Sequence, residues 1–425
     1  MVVNSRPVAI VAGLRIPFCR SGTSYASLSN LQMLSCVMKG MVETYNLKGE
    51  RLGEVNAGAV INHTRDWNLA REATLSTALD ARTPATTMQQ ACGTSLQAAM
   101  VAAAKIASGQ IDSAIAAGSD TVSDVPVVFS RKFSQRLVGL GRARSFKDKL
   151  GMLKGFGLRE LAPQPPSVNE PRTLLSMGDH CELMARHWEI SRQAQDELTL
   201  ASHRNAIAAY NAGFYDDLLI PCEGVRRDNN MRSDTSMESL AKLRTAYDKT
   251  DTGTLTAGNS TPLTDGAAGL LLCSEQWAQE RGLPVQAYLT HSATAAVDFV
   301  GGAGLLMAPT LAVSDMLKRA SLALADFDIY EIHEAFAAQV LCTLQAWEDE
   351  TYCRTELGTD APLGPIDRSR MNPVGSSLAV GHPFAATGAR ILGTLSKQLA
   401  ANPGSKGLIS VCTAGGMGLS AILES

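Results

Sequence analysis

The chain has 425 residues, 45% of them hydrophobic and 19% charged, enough apolar material to fill more than one domain-sized core. Its net charge of -3 leaves no global electrostatic footprint for nucleic acid, so any basic patch is local. No run of about 20 apolar residues is present, so no membrane-spanning helix is expected. Nine cysteines, an odd number without a C-x-x-C pair, read as thiols of a reducing, cytoplasmic compartment. The apolar run at 8–12 is too short for the core of a signal peptide.

In chain order, strands are predicted over 7–13, 55–62, 86–89 and 113–118, alternating with helices over 28–45, 68–79 and 94–108. That alternation predicts a layered α/β domain with a largely parallel sheet. Between 131 and 159 nine Lys or Arg face one acid, Asp148, interleaved with Phe133, Leu137, Leu140, Phe146 and Leu150. Pro163, Pro165, Pro166 and Pro171 then mark an irregular stretch, followed by helices over 177–187 and 192–212. The region 121–250 therefore reads as an insertion on the α/β scaffold. A strand over 266–273 is expected to return to the first sheet. A second series follows, with strands over 286–294, 328–331, 407–412 and 419–423 and helices over 310–319, 335–347 and 388–399. The matching order suggests an internal duplication. The expected units are 1–120 completed by 251–280, the insertion 121–250, and 281–425.

Cys92, in Gln90-Ala91-Cys92-Gly93-Thr94-Ser95, falls where a strand passes into a helix. The free N–H groups and positive dipole end of that helix favour a thiolate. Read alone, Cys92 could equally be a small buried hydrophobe. Three later segments each carry one reactive side chain, the last two among glycines: Glu331-Ile332-His333-Glu334-Ala335-Phe336, Gly375-Ser376-Ser377-Leu378-Ala379-Val380-Gly381-His382-Pro383, and Cys412-Thr413-Ala414-Gly415-Gly416. The first and third stand at the end of a predicted strand, 328–331 and 407–412, where α/β sheets place their sites. Cys181, between His180 and His187, lacks the second ligand pair of a metal site, and no metal is expected.

These segments, with Gly258-Asn259-Ser260-Thr261-Pro262-Leu263-Thr264-Asp265-Gly266, resemble the thiolase family in order and spacing over about 8–423. The resemblance implies two duplicated α/β halves with mixed five-stranded sheets in an α-β-α-β-α layering. It implies cleavage of a 3-oxoacyl-CoA by CoA in fatty-acid β-oxidation, without a permanently bound cofactor. Cys92 would be the acyl-carrying nucleophile, His382 its base, and Cys412 the acid and base of the second proton transfer. His382 and a water held by His333 would bind the enolate oxygen, and the backbone N–H groups of Cys92 and Ala414 would form a second oxyanion hole. An imidazole beside a thiol is expected to favour the ion pair, and His333 to add a titrating group.

His333-Glu334-Ala335-Phe336 replaces a common Asn-Glu-Ala-Phe and is similar to the β subunit of the trifunctional β-oxidation complex. Ala414 replaces a common glycine, with strain of about 1 kcal/mol if φ there is positive. Arg232, Ser239, Ser260, Thr261 and Met177 match positions that contact CoA. The resemblance further implies a homodimer or larger assembly. It makes 131–159 a contact for a hydratase/dehydrogenase α subunit or an anionic membrane surface, against the alternative of a solvated helical face. Competing readings are an acetoacetyl-CoA thiolase, a β-oxoacyl synthase with a Cys-His-His set, and a catalytically weak acyl-CoA-binding subunit.

Overall fold

Segments 114–117 and 270–273 are apolar at every position, so each must be covered on two faces, and the fold provides two. In the computed structural model, which describes residues 5–425, Ala114, Ala116, Leu270 and Leu272 face one core. Ile115, Ala117, Leu271 and Cys273 face another, built on Met33, Leu34, Val37, Met38 and Met41 of the helix Asn30–Thr44. That helix opens with a capping box in which the Ser29 hydroxyl accepts from the Gln32 N–H and the Gln32 side chain accepts from the Ser29 N–H.

The strands are β1 (Val8–Arg15), β2 (Cys19–Arg20), β3 (Glu54–Gly58), β4 (Ala85–Thr87), β5 (Ser113–Asp120), β6 (Thr264–Ser274), β7 (Ala287–Ala296), β8 (Ile329–Ile332), β9 (Lys406–Thr413) and β10 (Met417–Glu424). They lie in the order β4-β3-β5-β6-β1-β7-β10-β9-β8, with β2 on β6. The sheets are mixed. β3 runs parallel to β4 and β5, whereas β6 is antiparallel to both β5 and β1, which corrects the expectation of a largely parallel sheet. The reason is long-range: β6 enters from beyond the insertion and fills the gap between β5 and β1.

The second half repeats this pattern, β8 parallel to β9 and β10 antiparallel to both β9 and β7. Where β4 would have its counterpart there is a single parallel bridge between Tyr330 and Met371, so this half has four full strands rather than five. β1 and β7 join the halves through two residue pairs, Ala9 with Tyr288 and Ile10 with Ala287.

Between the halves lie two helices, Thr94–Ala107 and Thr387–Ala400, which share one core with Ile409, Val411, Leu419 and Ala421 of the second sheet. The outer face of that sheet is covered by the helices Ala308–Ala320 and Ala337–Glu348, giving five layers, α-β-α-β-α. The central helices touch at their N-terminal ends: a Cβ on Gly388 would stand 2.3 Å from the Leu96 nitrogen. Cys92 precedes one of these ends and His382 the other. Their meeting is thus fixed by the packing of two helix starts.

The insertion carries the helices Arg131–Arg142, Phe146–Leu153, Met177–His187 and Arg192–Asn211. Among the described residues, no helix is long and apolar enough to cross a membrane.

Candidate active site

Cys92 lies in a turn held open by its neighbours. Ala91 takes a left-handed φ of 46°, the Thr94 hydroxyl donates to the Ala91 carbonyl at 2.7 Å, and the Gln90 N–H donates to the Thr94 hydroxyl at 2.9 Å. A left-handed alanine costs about 1–2 kcal/mol, and this strain stands one residue before the thiol. Burial pushes the Cys92 thiol up to about 12, although the backbone N–H groups of Ala414 and of Cys92 itself reach its sulfur and pull the other way. These are the two N–H groups expected to form an oxyanion hole.

His382 Nε2 lies 3.2 Å from Cys92 Sγ, and its Nδ1 lies 2.6 Å from the Thr387 hydroxyl. The His382 N–H donates to the Thr264 hydroxyl at 3.2 Å, which fixes the loop against β6. Burial, then the charge of Arg390, pushes the His382 imidazole down to about 3. An ion pair is therefore not the resting state. A dry site penalises both charges, so the expected thiolate–imidazolium pair is corrected to a neutral thiol donating to a neutral imidazole.

His333 is fully buried, its ring centroid 4.2 Å from that of His382. Nδ1 lies 2.8 Å from the Ser377 hydroxyl, and Nε2 has no partner among the described residues. Burial, His382 and Arg390, in that order, hold the imidazole well below its ordinary range. The expectation that His333 adds a titrating group near neutral pH is overturned for the same reason. The loop is pinned from below: Asn372 accepts from the Ile332 N–H at 2.9 Å and donates to Glu334 at 2.7 Å, and Glu334 also accepts from the Ser202 hydroxyl at 2.7 Å.

Cys412, near the end of β9, is buried, and its thiol is raised by burial and then by the neighbouring Cys92. The turn that follows uses Gly415 and Gly416 at φ of 77° and 71°, and Gly415 donates its N–H to Glu170 of the insertion at 2.8 Å. Ala414 is not among the positive-φ residues, so the strain expected there does not arise. Cys92, His333 and His382 offer ligand atoms within 4.8 Å of one another. The Cys181 trio is not gathered: Cys181 packs in the core, His180 binds the Thr173 hydroxyl, and His187 packs edge-on against Trp188.

A cleft of about 150 Å³ is lined by Arg20, His203, Arg232, Ser239, Ser260 and Leu378, among others, and Leu378 follows the serine that holds His333. Three of the five expected CoA-contact residues are therefore together. Thr261 and Met177 lie outside this lining: Thr261 donates its N–H to Ala335, and Met177 packs against the core that contains Cys412.

Models of the thiolase N-terminal domain and the thiolase C-terminal domain match residues 8–276 and 283–425. The chain belongs to the thiolase family. Among curated relatives, the 3-ketoacyl-CoA thiolase of Shewanella sediminis is 39% identical over 100% of this chain and 98% of its own. That of Shewanella sp. strain W3-18-1 is 40% identical over 98% and 96%. Among solved structures, Bacillus anthracis acetyl-CoA acetyltransferase superposes with a TM-score of 0.81 at 29% identity, and human mitochondrial 3-ketoacyl-CoA thiolase with 0.80 at 25%, each covering 99% of both chains.

In this thiolase the supports of the site lie outside the residues that the sequence motifs single out. Thr387 and Ser377 orient the two imidazoles, Arg390 holds Ser377, Thr264 holds the His382 backbone, and Asp120 ties the loop after His382 to the end of β3 by accepting from Ala385, Val60 and Ile61. Thr387 and Arg390, five and eight residues beyond His382 at the start of a predicted helix, were the available signal.

Proposed function

We infer that the protein is an acetyl-CoA C-acyltransferase that cleaves 3-oxoacyl-CoA with CoA through an acyl-Cys92 intermediate. One observation carries the reading: His382 Nε2 stands 3.2 Å from Cys92 Sγ, in a buried site that also holds His333 and Cys412. As the Cys92 proton passes to His382 Nε2, the sulfur attacks the ketone carbon. The bond between C2 and C3 breaks, leaving acyl-Cys92 and the enolate of acetyl-CoA. His382 Nε2–H and His333 face that enolate oxygen, and the thiol of Cys412 protonates its carbon. Incoming CoA gives its proton to the Cys412 thiolate and attacks the acyl carbonyl, whose oxygen the N–H groups of Cys92 and Ala414 receive. Cys92 leaves and recovers its proton from His382.

Arg232, Ser239 and Ser260 would bind CoA in the cleft, with Thr261 and Met177 along the pantetheine. Relatives named 3-ketoacyl-CoA thiolase at 39–40% identity support a degradative role. Mass spectrometry after mixing with 3-oxoacyl-CoA should find the acyl group on Cys92; a stable adduct elsewhere would defeat the proposal.

The neighbour titled acetyl-CoA acetyltransferase keeps acetoacetyl-CoA as the second reading of the substrate. Comparing kcat/KM across a chain-length series decides between them. A homodimer is the proposed minimum assembly, and nine free thiols, two of them catalytic in this reading, suit a reducing cytoplasm. For 131–159 the proposed occupant is a hydratase/dehydrogenase α subunit, with an anionic membrane as the alternative. Exposed Leu137, Val138, Phe146 and Leu150 beside exposed Arg131, Lys132 and Lys147 support a contact surface. Unchanged co-sedimentation after deletion of 131–159 would remove the α-subunit proposal.

A further inference from the structure

Behind His333 lies a buried polar chain. Arg390, 3% exposed, stands 3.9 Å from Glu331 and donates from Nη2 to the Ser377 hydroxyl at 2.7 Å and from Nη1 to the Ser376 hydroxyl at 3.2 Å. The Ser377 hydroxyl in turn meets His333 Nδ1 at 2.8 Å. A guanidinium only donates, so the bond from Arg390 occupies a lone pair of the serine and leaves its single proton free. Among the described residues His333 Nδ1 is the one acceptor within reach of that proton. Paired in this way Nδ1 is unprotonated and, in a neutral ring, Nε2 carries the hydrogen; the reverse, with an Nδ1–H donating to the second lone pair, would strand the buried hydroxyl proton without an acceptor.

That hydrogen sits on the ring nitrogen that lacks a protein partner, in a ring whose centroid stands 4.2 Å from that of His382. A buried donor without an acceptor is costly, and a substrate oxygen would satisfy it. The opposite tautomer would turn a lone pair toward the developing enolate and repel it. The same assignment argues against reading Cys92, His333 and His382 as a metal centre: an Nε2–H has no lone pair to give.

We propose that Ser377, oriented by Arg390, is a positioning residue that locks His333 as the Nε2–H tautomer and so aims a fixed N–H donor at the enolate oxygen. The proposal rests on the reading of His333 as an enolate-oxygen donor. It goes further in needing no intervening water to invert the polarity of the ring, and in assigning a role to Ser377 that does not involve touching substrate.

Two measurements test it on the full-length enzyme. With histidine-selective 15N labelling, the His333 ring is identified among the seven histidines by its loss in His333→Asn. The expected pattern is a protonated Nε2 and an unprotonated Nδ1; a protonated Nδ1 overturns the proposal. In the second, Ser377→Ala is expected to lower kcat about 10- to 100-fold with KM for 3-oxoacyl-CoA within about twofold, and to cost nothing further in a His333→Asn background. Wild-type kcat in Ser377→Ala, or an equal loss in both backgrounds, overturns it. If His333→Asn alone leaves kcat unchanged, the donor reading fails instead, and the 15N pattern still reports whether Ser377 sets the tautomer.

Discussion

His382 Nε2 and Cys92 Sγ are 3.2 Å apart, and burial keeps both uncharged until substrate arrives. Burial pushes the His382 imidazole down and the Cys92 thiol up, and both shifts favour the proton on sulfur. The rate of Cys92 acylation should therefore be flat between about pH 6 and 9, where a free imidazole or thiol would titrate. Single-turnover acylation by 3-oxoacyl-CoA, followed without free CoA, measures this. Limbs near the ordinary values of about 6.5 and 8.5 would mean that the pair is solvated and ionised at rest.

His333 gives a companion expectation. Its imidazole lies well below the ordinary range, so it stays neutral over the same interval. His333→Asn should reduce kcat by about 10- to 1000-fold, depending on how well the shorter amide replaces the donor, while leaving the shape of the pH–rate profile unchanged. A new limb in the variant, or the loss of one present in the wild type, would show that His333 titrates.

Cys412 is raised by burial and by Cys92, so it too rests as a thiol, the form that can protonate a carbanion. Cys412→Ala should abolish exchange of the acetyl-CoA methyl protons with deuterated water and lower thiolysis by about 10²–10⁴-fold. Because Cys92 and His382 remain, transfer of the acetyl group to Cys92 should persist, as read by mass spectrometry. Loss of the adduct along with the exchange would show that Cys412 acts in the first step as well.

How far the sequence could show this site depends on which property is asked about. Cys92, His382 and Cys412 each stand close to glycine, His333 and Cys412 each stand at the end of an apolar strand, and local pattern reveals such residues. Their protonation states are not local. They follow from the dry enclosure made by four distant segments, so the helix end near Cys92 suggested a thiolate where the burial of the site gives a thiol. Ala91 shows the same limit, because nothing in an alanine announces a left-handed φ. Ser377 and Arg390 sat in plain view as a small polar residue and a cation, and only the fold gives them a common partner. The position of β6 between β5 and β1 was hidden in the same way, since its pairing spans the whole insertion.

Asp120 links stability to pH. Its carboxylate accepts from the N–H groups of Val60, Ile61 and Ala385 at 3.0, 2.8 and 2.8 Å, yet burial raises it to about 6. A carboxyl group raised on folding stabilises the native state fully below its unfolded value of about 3.9, and that stability is lost as pH rises through the folded value. Asp120→Asn removes this term and leaves a backbone donor facing an amide nitrogen, at a cost of about 1–3 kcal/mol. The Tm gap between wild type and variant should be widest near pH 4.5 and narrow by pH 7.5. A gap that widens with pH would show that Asp120 is stabilised as the carboxylate.

Gly388 connects packing to chemistry. A Cβ there would stand 2.3 Å from the backbone nitrogen of Leu96, so Gly388→Ala must push apart the two helix starts that carry Cys92 and His382. Overpacking of this kind costs about 1–3 kcal/mol, and a displacement near 1 Å at the reacting groups can cost about 10²-fold in rate. Both Tm and kcat should fall, with kcat falling by at least about tenfold in enzyme that remains folded. Gly151→Ala is the control, since a Cβ at that helical position meets nothing within 4 Å and should leave kcat unchanged. Wild-type kcat in Gly388→Ala would show that the 3.2 Å contact between His382 and Cys92 is set by the loops alone and not by the crossing of the helices.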